Sequence, residues 1–161
     1  MRGAAWLLVL SMGANASAAD WSLRMDGLGP LRIGMTFKQA NAGLGNRLTR
    51  APEGNECRYI AVPGHSGVAL MFDDGRLQRV DVGSRSVRTA KGIAIGDPVS
   101  RVMRAYPGVE ASAHKYVDGE QYLTVPGPRQ RYGLRFETAQ GKISKFYGGT
   151  YAAVQLVERC S

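Results

Sequence analysis

Apolar and polar positions alternate with period two in several short runs of this chain. Val68, Leu70 and Phe72 form one such set, and Tyr132, Leu134 and Phe136 form another. This alternation predicts half-buried strands. "CRYIAV", from Cys57, alternates in the same way and stops at Pro63-Gly64. "RLQRVDV" follows Asp73-Asp74-Gly75, a hairpin signal, and "KISKFY" follows the longer turn "TAQG". Leu77 and Ile143 fall out of phase with Val80 and Phe146. A bulge beside each turn would bring them back to the apolar face. Two other stretches carry helical spacing. Phe37, Ala40 and Leu44 follow Thr36, a good N-cap, and Gly43 and Gly45 end the run. Val99, Val102, Met103 and Tyr106 recur at i, i+3, i+4 and i+7. There Asp97 is the expected cap, Pro98 the first helical residue, and Pro107-Gly108 the stop.

The phrase before each helix is written twice. Ile33-Gly34 matches Ile95-Gly96, and Val62-Pro63-Gly64 matches Val125-Pro126-Gly127. Leu70-x-Phe72 matches Leu134-x-Phe136, and Gly75-Arg76-Leu77 matches Gly141-Lys142-Ile143. Four matches in one order predict a tandem duplication. The expected fold class is α+β: one short helix plus a three-stranded antiparallel meander, made twice, with the helices packed on one face of the sheets. The expected boundaries are residues 1–19 for a cleaved export signal, 20–90 for the first unit, and 91–161 for the second unit with a C-terminal extension.

An Ile-Gly-Met-Thr step into a helix, then a meander whose return reads Asp-Gly-Arg-Leu-x-x-Val at Asp74 to Val80, resembles the small outer-membrane assembly lipoproteins. Two such units in one exported chain resemble the secreted β-lactamase inhibitor proteins, which carry that fold in tandem. The resemblance spans most of residues 28–149. It implies the duplicated fold and a role as an inhibitor or assembly factor.

The start of the chain sets the compartment. Arg2, the apolar run around "AWLLVL" and the small residues of "ANASAAD" come in the order of a secretory signal, with cleavage after Ala18 or Ala19. The apolar run is too short to span a bilayer, and no later stretch is apolar enough for a membrane span. The expected location is the periplasm or the exterior. Two cysteines in an oxidising compartment predict one disulfide, Cys57 to Cys160, which would hold the end of the chain to the first unit.

The net charge is +8, spread along the chain with no block of consecutive basic residues. That pattern argues against nucleic acid as the partner. Catalytic signatures are missing. "GHSGV" places Ser66 beside His65 between two strands, where the nucleophile elbow needs a strand and a helix. His65 and His114 fall in loops without metal-ligand spacing, so neither a metal nor another cofactor is expected. With Val68, Leu70, Phe72, Val80 and Val82 facing the core, alternation sends Met71, Arg79 and Asp81 to the other face of the sheet. In the second unit Arg135, Lys145 and Tyr147 go the same way. These six are the candidate partner-binding residues, because Arg, Tyr and Met are favoured at interfaces. The expectation is an exported, non-enzymatic binding protein for a protein partner. The alternatives are a binder of anionic envelope glycans or lipids, and a hydrolase without a visible signature.

Overall fold

The computed structural model describes residues 20–158 and 160; the expected export signal lies outside them. A seven-stranded antiparallel sheet dominates. Its strands are β3 (Arg58–Ala61), β4 (Val68–Asp73), β5 (Arg76–Val82), β7 (Glu110–Ala113), β8 (Gln121–Pro126), β9 (Tyr132–Ala139) and β10 (Lys142–Thr150). Their spatial order is β3-β4-β5-β10-β9-β8-β7. A small second sheet joins β1 (Ser22–Arg24) to β2 (Gly27–Leu28) and, in parallel, to β6 (Arg88–Thr89). The helices are α1 (Phe37–Gly43), α2 (Val99–Ala105) and α3 (Tyr151–Gln155). No helix among the described residues is long and apolar enough to cross a membrane.

This architecture corrects the expected α+β class. Strand accounts for 38% of the described residues and helix for 16%, so the molecule is mainly β and its helices are minor covers. Two causes are visible. First, the strands expected as two separate meanders join edge to edge, β5 pairing with β10 through Val82↔Phe146, Asp81↔Tyr147, Val80↔Gly148 and Arg79↔Gly149. Second, α1 and α2 have only seven residues each and fully bury one side chain apiece, Ala40 and Val102. The second half also carries a fourth strand, β7, and the small sheet had no counterpart in the expected unit.

Locally, the residue patterns act as read. Leu70, Phe72, Val80, Val82, Leu134, Phe136 and Phe146 are all buried in one core. Leu77 and Ile143 join them because the ladder slips by one residue beside each turn, skipping Gln78 and Ser144. Both turns have two residues, Asp74-Gly75 and Gln140-Gly141, all at positive φ, so the second is no longer than the first. The repeated Ile-Gly step has a geometric role. Gly34 and Gly96 sit at φ of 92° and 91°, a left-handed conformation that favours glycine. Gly34 N–H donates to the Leu77 carbonyl and Gly96 N–H to the Ile143 carbonyl, which ties each helix entry to the sheet. Thr36 caps α1 in a reciprocal box with Gln39. Asp97 does not cap α2: Pro98 holds that place, and Asp97 instead accepts from Ala94 N–H and pairs with Arg101.

Candidate functional site

The six candidate residues share one sheet face, as alternation requires, but that face is not free. Met71, Arg79, Asp81, Arg135 and Tyr147 are each 6% exposed or less, and Lys145 alone is partly open. The cover is the end of the chain. Thr150 accepts from Ala153 N–H and starts α3, whose Ala153 and Val154 are buried. Gly133 lets the helix lie close: a Cβ there would meet Tyr151 and Val154 at 3.2 Å. Together α3 and residues 156–158 form a strap that leads to the Cys57–Cys160 disulfide, which is present as expected and spans 103 residues of sequence. Such bridges belong to oxidising compartments. The outward face was legible from the sequence; its occupant was not. "TYAAVQLVERC" does carry a cap residue and apolar spacing, and that was the available signal for α3.

Beneath the strap, Arg79 forms a saturated hub. Its Nε donates to Asp81 at 2.7 Å, and one terminal nitrogen donates to the carbonyls of Ala153 and Leu156 at 2.7 and 2.9 Å. The other terminal nitrogen reaches the Tyr59 hydroxyl, and the guanidinium lies 4.4 Å from the Tyr147 ring centre. Burial opposes its charge, but the Asp81 carboxylate and the tyrosine oxygens outweigh that and raise its pKa. Tyr147, buried among these groups, has its hydroxyl pKa raised by desolvation.

Arg135 is held differently. Its Nε donates to Thr124 Oγ1 at 2.9 Å, and its terminal nitrogens donate to the Gln155 carbonyl at 3.2 Å and to Gln155 Oε1. All three acceptors are neutral, and no carboxylate among the described residues pairs with it. Because Gln155 turns its oxygen to Arg135, its Nε2 is left buried with no hydrogen-bond partner. On the same face Glu137 pairs with Lys145 at 3.0 Å and faces His114 Nε2 at 3.7 Å. His114 stacks on Tyr122.

The β7–β8 loop meets the strap at Glu158. Lys115 Nζ lies 3.0 Å from Glu158 Oε1, and the Tyr116 hydroxyl donates to the same oxygen. The Tyr116 and Lys115 contacts hold the Glu158 carboxyl below its usual range. Between strap and sheet runs a cleft of about 490 Å³, lined by Met71, Asp73, Lys115, Leu156, Glu158 and the disulfide. Leu156, which lines it, is 47% exposed, Tyr116, which bonds Glu158 at its edge, 59%, and Val117, next to Tyr116 in the loop, 49%. Sequence reasoning passed over all three.

The residues that hinted at hydrolysis are not brought together. Ser66 is exposed in the β3–β4 turn, and His65 stacks on Trp21 with ring centres 3.6 Å apart. These rings border a second cleft of about 320 Å³ that also includes Arg47. No group of three or more His, Cys, Asp or Glu among the described residues is placed to hold a metal.

No protein-family model and no curated protein matches the chain. Among solved structures, the uncharacterized protein YfeY from Escherichia coli is similar, with a TM-score of 0.52 and 16% identity. The match covers 80% of this chain and 99% of YfeY. At that identity the likeness concerns the fold alone.

Proposed function

We propose that the chain is an exported, non-enzymatic binding protein, located in the periplasm or outside the cell, that engages a protein partner in the manner of an inhibitor or assembly factor. The carrying observation is the exposed pair of Tyr116, bonded to Glu158, and Leu156 at the rim of the strap cleft, with exposed Val117 next to Tyr116 in the loop. Side chains on pinned elements lose little entropy on binding, and tyrosine is among the residue types that carry most of the energy at protein interfaces. The pins here are the disulfide and the Lys115–Glu158 pair. This reading moves the contact from the covered sheet face to its rim. The signal-like start and the disulfide support export, and the sequence resemblance to tandem inhibitors and assembly lipoproteins supports the class.

The test is capture from an envelope extract at rising salt. The expected result is a specific protein retained at about 1 M salt, where the screening length falls to about 3 Å. Tyr116→Ala and Leu156→Ala should each weaken its binding at least about tenfold without moving the melting temperature. Binding that salt abolishes and that extends to anionic polymers in general would favour the envelope-surface alternative, for which the net charge of +8 is suited. Variants that bind like the parent would remove the rim from consideration.

A further inference from the structure

The strap is an imperfect occupant of the face it covers. Arg79 is fully served, because Asp81 balances its charge and two strap carbonyls fill its remaining donors. Lys145 has Glu137. Arg135, only 6% exposed, has the Tyr122 ring 5.0 Å away but no carboxylate, and it meets an amide where a carboxylate would fit. A guanidinium takes a carboxylate through two parallel charge-assisted bonds. An amide can return one oxygen only, and its NH2 must then point elsewhere. The stranded Gln155 Nε2 is the visible cost. A glutamate at the same place would balance Arg135 and strand no donor. The strap stays down in spite of this defect because it is latched at Cys160 and held by Glu158.

We propose that the strap is a displaceable stand-in for a protein ligand, and that the ligand is a peptide segment presenting a glutamate to Arg135 where this chain presents Gln155. Arg79 would hold the ligand's main-chain carbonyls, as it now holds those of Ala153 and Leu156. The latch opens by reduction. A dithiol gives two electrons and two protons to the Cys57–Cys160 disulfide, leaving two thiols here and a disulfide on the reductant. The cleft beside the disulfide gives the attacking thiolate its approach. The inference rests on the binding-protein reading but not on the rim. The peptides below share Leu156 with the rim but differ from each other only at residue 155, so a preference between them reports on Arg135 and not on the rim: failure here leaves the capture assay untouched, and failure there leaves this one untouched.

The experiment uses the full chain with Cys160→Ser, which removes the latch and leaves the strap held only by its non-covalent contacts. Two labelled synthetic peptides are compared, residues 151–157 as they stand and the same segment with Gln155→Glu. The unlatched protein should bind the glutamate peptide at least about tenfold more tightly than the glutamine peptide, the size expected of a new charge-assisted pair. The disulfide-intact protein should bind neither, and Arg135→Gln on the unlatched background should abolish the preference. Equal affinities, no binding, binding that ignores the latch, or a preference that survives Arg135→Gln would each overturn the proposal. A second measurement covers the case in which Cys160→Ser does not fold. In the disulfide-intact chain, Gln155→Glu should slow amide exchange across residues 151–157 about tenfold. Unchanged or faster exchange would count against the proposal.

Discussion

Arg79 illustrates how a residue can be read correctly and still be misjudged. Its alternation with Val80 places it on the outward face, and Met71 opposite it in β4 agrees. Outward in a strand means only the other side from the core, and here that side is roofed. The guanidinium and the Asp81 carboxylate are therefore both desolvated, at 4% and 6% side-chain exposure. Removing one partner leaves the other as an uncompensated buried charge. Arg79→Ala is expected to destabilise the protein by about 3–5 kcal/mol in urea unfolding. Arg88→Ala, on the exposed end of β6, should change stability by less than about 0.5 kcal/mol. Similar small losses for both would mean that the hub beneath the strap is not formed in solution.

Among the elements, the junction of β5 with β10 decides the architecture. A Cβ built at Gly149 would stand 2.2 Å from the Gln78 carbonyl oxygen and 2.8 Å from Arg79 Cα. These are backbone neighbours that cannot rotate away, so the glycine is a condition of the pairing and not a turn residue. Gly149→Ala should cost about 1–3 kcal/mol as overpacking. Its effect on amide exchange should concentrate in β5 and β10. Uniform loss of protection across β3, β4, β8 and β9 would mean that the junction is not a separate seam. The two Ile-Gly helix entries belong to the same scale. They read clearly because the glycine's positive φ and the following helical spacing are local properties. The cap of α2 misled because Asp97 had a competing local use, the Ala94 N–H, which a cap assignment by residue type does not weigh.

For the whole molecule, buried tyrosines on both sides of the sheet make stability depend on alkaline pH. Tyr106, Tyr122 and Tyr147 all have pKa values raised above 10.0, in each case first by burial. The folded chain therefore keeps protons that the unfolded chain releases as pH passes about 10. The stabilisation is full below that pH and falls as pH rises through the raised values. The urea midpoint should drop steadily above pH 10, and Tyr147→Phe should make the drop shallower, because it keeps the ring and removes the titrating hydroxyl. Parallel curves for the two proteins would show that Tyr147 is not held as described. Closure by the disulfide acts at this scale too: a loop of about 100 residues is worth about 4–5 kcal/mol in the chain-entropy picture.

The sequence by itself determined what depends on neighbours along the chain. Alternation located β3, β4, β5, β9 and β10 and sorted their faces, Asp74-Gly75 set the first hairpin, and glycine at positive φ set the two helix entries. The cysteine pair followed from there being only two. The tertiary structure decided what depends on contacts between distant segments. The seam of β5 with β10, the pairing of β1 with β6, and the strap over Arg79 and Arg135 all join residues far apart in sequence. A two-residue period distinguishes one side of a strand from the other, but it carries no record of what will cover either side. The outward face was therefore visible as a face and invisible as an occupied one, because its roof is built from the last residues of the same chain.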